Sequence, residues 1–210
     1  MSTDHSLRRL LVTSPGPHEG KTFVATTLAI VIAQSGKRVL LLDTDLRRPR
    51  LHKVFPGEKG TRGVTDALAG QCTPEEFIET TGIPNLFSGR AGPIPPNPAE
   101  LLHSTRFTEL LDRLSEMFDL VILDSPPLGA VTDAAILSRV VDGTILVARH
   151  GKTHKASLRH SARQLNRIGS RIFGVILNDA DYSRASYYRY DYYRTYGYSY
   201  RAEEPTAATG

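Results

Sequence analysis

Tryptophan is absent from this 210-residue sequence, methionine occurs twice and cysteine once. The lone Cys72 excludes an intrachain disulfide framework and any metal centre built on several thiolates, which fits a reducing compartment. Long apolar runs are missing too. No stretch reaches the roughly 18 residues needed to cross a bilayer, and "MSTDHSLRRLLVTS" has only a brief apolar run, too little for a secretion signal. The expectation is a cytoplasmic chain that does not span a membrane by itself. The most informative shortage is of tyrosine, which does not occur in the first 181 residues, where the core must be built. All nine tyrosines fall between Tyr182 and Tyr200, most of them in "YYRYDYYRTYGYSYR". A hydrophobic core would not sort its aromatics in this way.

With 40% hydrophobic residues and no sharp change of composition before about residue 180, the chain reads as one α/β domain over residues 1–181 and a tyrosine-rich tail over 182–210 that is expected to be disordered. Short apolar runs recur: "LLVT", "RVLLLD", "NLFS", "DLVILD", "TILVA" and "IFGVILN". They lack period-two alternation, as strands covered on both faces do. Helical segments lie between them, and two have readable starts. Thr73-Pro74-Glu75-Glu76 and Asn97-Pro98-Ala99-Glu100 each combine a capping residue, a proline at the first helical position and a glutamate at the third. Gly36 is expected to end the first long helix. Alternating strands and helices imply a doubly wound, mostly parallel sheet with helices on both faces, whose ligands bind at the carboxyl ends of the strands.

The residues after the first run are "TSPGPHEGKT", with Gly20-Lys21-Thr22 opening a helix. A glycine lets the backbone approach a phosphate, the helix start offers unpaired N–H groups, the lysine reaches terminal phosphates and the threonine hydroxyl can ligate Mg²⁺. This is a Walker A loop in which Pro15 replaces the leading glycine and Gly16 follows it. Gly-Lys-Thr alone would also suit a plain strand-to-helix turn, but the second strand delivers Asp43 and Asp45 and the fourth delivers Asp124 to the same rim. Mg²⁺ on a nucleotide takes one or two protein groups and keeps several waters, which makes Thr22 the direct candidate and the aspartates water-bridged ones.

These residues resemble the cytoplasmic domain of bacterial tyrosine kinases, themselves similar to deviant-Walker ATPases of the chromosome-partitioning and septum-site type. The resemblance rests on "TSPGPHEGKT", on "LLLDTDLRRP" as the second motif (Walker A′), on "LVILDSPP" followed by "VTDA" as Walker B, on "GPIPPNP" and on the tyrosine cluster. It implies a P-loop kinase domain using ATP and Mg²⁺. Pro17, His18, Glu19, Gly20, Lys21, Thr22 and Phe23 would surround the phosphates, and Thr22, Asp45 and Asp124 would serve the metal. Lys21, Asp43, Asp45 and Asp124 would be catalytic, with Asp43 contacting the acceptor phenol or the metal waters, and Asn178 would hold the adenine edge. Partitioning-type ATPases carry a signature lysine where this chain has Gly16, which favours the kinase branch. The resemblance also implies a transmembrane polysaccharide co-polymerase as partner, an opposing tyrosine phosphatase, control of capsular or exopolysaccharide export and a place at the inner face of the membrane. Such kinases usually carry an N-terminal Glu-x-x-Arg-x-x-Arg helix that supports ring assembly. Nothing before Leu10 matches it, so either the sequence is part of a longer chain or assembly proceeds differently.

An aspartate near pKa 4 is mismatched by about six units with a phenol near 10, so Asp43 is expected to orient the acceptor hydroxyl and take its proton late. The acceptors are Tyr187, Tyr188, Tyr190, Tyr192, Tyr193, Tyr196, Tyr198 and Tyr200. Between Tyr182 and Arg201 the charges sum to +3, drawn to an aspartate-lined, triphosphate-loaded site until phosphorylation, at about −1.5 to −2 each, cancels the attraction. Unmodified tails would thus hold copies together. Interleaved Arg and Tyr also describe a segment that stacks on single-stranded nucleic acid, though no nucleic acid is expected beside a nucleotide site. The rival from another class is a nucleotide-switched scaffold without kinase activity. The basic run Arg47–Lys53 reads as a steering patch or a solvated loop, and the histidines support no zinc site.

Overall fold

The computed structural model describes residues 7–56 and 62–180, so every tyrosine lies outside the described residues. The chain divides into two units, Met1–Asn178 and Asp179–Gly210, and the fold below is that of the first. Its elements in chain order are β1 (Arg9–Thr13), α1 (Lys21–Gln34), β2 (Val39–Asp43), α2 (Leu51–Val54), α3 (Val64–Leu68), α4 (Pro74–Phe77), β3 (Ile78–Thr80) and β4 (Leu86–Gly89), followed by α5 (Pro98–His103), α6 (Thr105–Met117), β5 (Leu120–Asp124), α7 (Asp133–Leu137), β6 (Gly143–Arg149), α8 (Lys155–Arg167) and β7 (Ile172–Asn178).

The strands form one sheet in the order β3-β4-β2-β5-β1-β6-β7. All pairs are parallel except β3 with β4. The apolar runs alternate between two cores. Leu11, Leu40, Leu42, Val121 and Leu123 face α6 through Phe107, Leu111 and Leu114. Leu10, Val12, Val39, Leu41 and Ile122 face α1 through Val24, Ala25, Ala29 and Ala33. Both faces of β1, β2 and β5 are buried, so their sequence shows no polar alternation. The alanines of α1 recur at four-residue spacing and let that helix lie close to the sheet.

Two features depart from expectation. β3 is a three-residue antiparallel edge strand, too short to leave an apolar run. The apolar run of β7 implies cover on both faces, yet Phe173, Val175 and Leu177 are exposed at the opposite edge of the sheet. The helix starts fall where expected. The Thr73 N–H donates to Glu76 Oε2 at 2.7 Å, whereas Asn97 engages Glu100 through its side-chain amide rather than its backbone. Gly36 follows α1 with φ 92° and donates to the Ala33 carbonyl. No helix among the described residues is long and apolar enough to cross a membrane.

Candidate nucleotide and phosphoryl-transfer site

The strand order turns back at β1, with β5 inserted between it and β2, which opens a crevice at their carboxyl ends. The loop from Ser14 to Gly20 lies there and is braced from outside. Gly16 N–H donates to Glu19 Oε2 (2.9 Å), and Thr153 Oγ donates to Glu19 Oε1. The loop carbonyls accept from Leu128 N–H at Ser14 (2.9 Å), Gly129 N–H at Pro15 (3.1 Å), Arg149 Nη1 at His18 (3.3 Å) and Asn178 Nδ2 at Glu19 (3.0 Å). Glu19 is only 7% exposed, and both carboxylate oxygens close the loop rather than face a ligand. His18 and Gly20 take left-handed φ angles of 61° and 90°. A Cβ at Gly20 would lie 2.0 Å from Asn178 Nδ2, so only glycine fits between the amide and the loop. α1 then begins at Lys21 with no side-chain cap and no acidic residue in its first turn, an N-terminus suited to an anion.

Lys21 is half-buried. Burial lowers its pKa, against the attraction of Asp124, Asp45 and Glu19. Asp43 and Asp124 are direct cross-strand neighbours at the ends of β2 and β5, exposed by 1% and 2%. Burial pushes Asp124 up to about 7, the neighbouring Asp43 adds to the rise, and a hydrogen bond from Thr22 and the charge of Lys21 oppose it. Its Oδ1 is buried with no hydrogen-bond partner. An orphaned carboxylate oxygen beside a lysine and a threonine hydroxyl is an arrangement that a hard cation on a phosphate would complete. Thr22, Asp45 and Asp124 supply the oxygen donors such an ion prefers, so the residues present fit Mg²⁺.

Asp43, expected at the acceptor phenol or the metal waters, has three backbone partners. Its Oδ2 accepts the Arg50 and Leu51 N–H groups at 2.9 Å each, and its Oδ1 accepts Asp45 N–H at 3.2 Å. Burial lifts its pKa to about 6 against these three donors. The carboxylate therefore organises the 44–51 loop, in which Asp45 Oδ1 accepts Arg48 N–H at 3.0 Å. The basic run Arg47–Lys53, expected as a steering patch or a solvated loop, is partly enlisted here. Arg47 grips Asp133 with two hydrogen bonds, 2.7 and 3.0 Å, and the Asp133 side chain is fully buried. The motif "VTDA" by itself gives Asp133 no task, because its partner lies 86 residues away. The other loop residues scatter: Pro17 and His18 are exposed at the tip, and the Phe23 ring is 67% exposed. The acceptor tyrosines lie outside the described residues.

The chain matches the family described as CobQ/CobB/MinD/ParA nucleotide binding domain over residues 10–189. It is 41% identical to tyrosine-protein kinase YwqD of Bacillus subtilis over 189 residues, covering 90% of this chain and 79% of that one. It is 42% identical to tyrosine-protein kinase ptk of Acinetobacter johnsonii over 85% of this chain, and there it spans only 24% of the relative. The solved kinase domain of the Escherichia coli tyrosine kinase ETK superposes with a TM-score of 0.78 at 37% identity, covering 85% of this chain and 71% of that one. The chain belongs to the bacterial tyrosine-protein kinases built on the CobQ/CobB/MinD/ParA nucleotide-binding domain.

Proposed function

We propose that this kinase transfers the γ-phosphoryl group of ATP to its own C-terminal tyrosines, with the tail of one copy serving the site of another. The bond from the γ-phosphorus to the ADP oxygen breaks, a bond to the phenolic oxygen forms, and the phenolic proton leaves to a carboxylate or to water. The observation that carries this reading is the convergence of Lys21, Thr22 and the orphaned Asp124 oxygen at an uncapped helix N-terminus. Phosphoryl transfer has a loose transition state, so fixed positive charge and positioning supply most of the catalysis. Lys21 and the N–H groups of Gly20, Lys21 and Thr22 bind phosphate oxygens. Thr22, Asp45 and Asp124 hold Mg²⁺, whose charge neutralises the phosphates when bound. Asn178, seated on the loop by its Nδ2, stands for the adenine edge.

Asp43 is assigned a narrower part than a base. A pKa near 6 brings it to about four units from a phenol, but at 1% exposure it acts by anchoring the loop that carries Asp45. Tyr187, Tyr188, Tyr190, Tyr192, Tyr193, Tyr196, Tyr198 and Tyr200 are the acceptors, in a segment whose charge falls as phosphate accumulates. Unmodified tails hold neighbouring copies together and modified ones let go. The wider setting we assign is the inner face of the membrane, beside a transmembrane polysaccharide co-polymerase and an opposing phosphatase, in control of capsule or exopolysaccharide export. Incubation of the full chain with Mg-ATP is expected to give phosphotyrosine in the tail and none with Lys21→Ala. Nucleotide-driven assembly without phosphotyrosine would instead make the protein a scaffold.

A further inference from the structure

The charge of this chain is unevenly placed. Between Asp142 and Asp179 it has seven Lys and Arg residues and no Asp or Glu, leaving 19 basic against 22 acidic residues elsewhere. α8 arranges four of the seven, Lys155, Arg159, Arg163 and Arg167, at four-residue spacing. That spacing puts them on one stripe of the helix, about 6 Å apart and about 18 Å from end to end, winding about 120° around the axis. The stripe faces away from the sheet, because Ser161 and Leu165 are the buried positions, with Leu158 and Ala162 beside them. All four cations are exposed, and none forms an ion pair among the described residues. An ordinary solvated helix face mixes both signs.

The adjacent edge strand supplies the second observation. Past a register shift at Thr144/Ile145, Val175 and Leu177 align with Leu146 and Ala148 of β6. Leu146 packs against Leu165 of α8, so Val175 and Leu177 point to the side of the sheet that α8 covers. They nevertheless remain 50% and 55% exposed, and Phe173 is 43% exposed with Arg171 over its ring at 5.1 Å. Beside the stripe of cations, a cavity of about 330 Å³ is lined by His160, Arg163, Gln164, Arg167 and Ile168, room for a phosphate-bearing headgroup between two guanidinium groups.

We infer that the α8–β7 flank is a docking surface for an anionic lipid bilayer, engaged by the chain itself. A stripe of long, flexible cationic side chains, next to apolar side chains at a sheet edge, suits a surface of lipid phosphates with acyl chains beneath it. An acidic peptide would be the other partner for such charge, but the stripe has no apolar groove along it to fix a peptide's side chains. The cations of α8 and the side chains of Phe173, Val175 and Leu177 are not those of the nucleotide site, so the surface does not depend on how that site is read.

Co-sedimentation of the full chain with phosphatidylcholine vesicles containing about one third phosphatidylglycerol tests this. Binding is expected to these vesicles and not to pure phosphatidylcholine, and to weaken as salt is raised. Each basic residue near an anionic surface contributes about fivefold, so Arg159→Gln/Arg163→Gln should weaken partitioning about thirtyfold. Lys155→Gln/Arg167→Gln should do the same and thereby exclude a local folding defect. Arg62→Gln/Arg113→Gln removes equal charge from exposed residues elsewhere and should change little. Autophosphorylation in solution should be unchanged in all three variants. Equal losses in all three would overturn the inference in favour of net charge alone. Binding insensitive to the α8 variants would assign it to the arginine-bearing tail instead. Retention on immobilised polyglutamate without vesicle binding would replace the lipid by an acidic protein.

Discussion

The rim at the ends of β1, β2 and β5 and the flank formed by α8 and β7 both concentrate charge, and they treat it in opposite ways. At the rim the carboxyls of Asp43 and Asp124 are 1% and 2% exposed, and burial drives them up to about 6 and 7 while it drives Lys21 down. Along α8 the cations stand in solvent, without ion-pair partners among the described residues. In the low-dielectric interior each group interacts strongly with a few named neighbours, which tune it. In solvent each charge is screened by water and salt, and the cations act together as a patch.

The largest effect that would sharpen this contrast is at Lys21. Lys21→Ala removes the cation at the start of α1 and should lower phosphotyrosine formation by about a thousandfold or more, read by immunoblot time course, with the far-ultraviolet circular dichroism unchanged.

Asp124→Asn should come next, lowering transfer by about a hundredfold or more while stabilising the ligand-free protein. Both buried carboxyls have folded pKa values above their ordinary 3.8, so the folded state holds protons that the unfolded chain has released. Their contribution is therefore most favourable below about pH 4 and is lost as pH rises toward about 7. At pH 8 Asp124→Asn should gain on the order of 4 kcal/mol, or roughly 10 °C in melting temperature, and the gain should vanish near pH 4. A gain that persists at pH 4 would show that the carboxyl is not strained by its charge.

Arg47→Gln leaves Asp133 buried without its partner and should cost about 2–3 kcal/mol of stability. Transfer should fall about tenfold with nucleotide affinity held within about twofold, because the pair positions the loop of Asp45 and not the phosphates. Arg47→Lys should restore little, since a lysine cannot make both hydrogen bonds. Unaltered transfer in Arg47→Gln would reduce the pair to a structural strut.

The smallest effect is expected at Glu19→Gln, which keeps the shape of the loop brace but weakens its charge-assisted bonds to Gly16 and Thr153. Nucleotide affinity measured by calorimetry should fall about fivefold, the value of roughly one hydrogen bond.

Much of this was legible in the sequence. The six longer strands announced themselves as apolar runs, because strands buried on both faces must be apolar throughout. The loop with Lys21 and Thr22, and the aspartates at the strand ends, were legible because phosphate and metal chemistry restricts residue type and spacing over a few positions. β3 was not, because three residues carry no periodicity. The exposed side of β7 was not either. Its composition is that of a covered strand, and only its place at the sheet edge uncovers Phe173, Val175 and Leu177.

The sequence by itself determined the order of the six longer strands, the phosphate loop, the aspartates at the strand ends and the absence of tyrosine from residues 1–181. Each of these is written in neighbouring residues, through periodicity, helix capping or the donor set a phosphate requires. Only the tertiary structure decided that Asp43 is enclosed by three backbone N–H groups, that Arg47 and Asp133 meet across 86 positions, and that the cationic stripe of α8 lies beside an uncovered sheet edge. Those outcomes depend on which elements the folding chain packs together and which it leaves to solvent. Burial and long-range pairing are properties of that packing, and local spacing does not encode them.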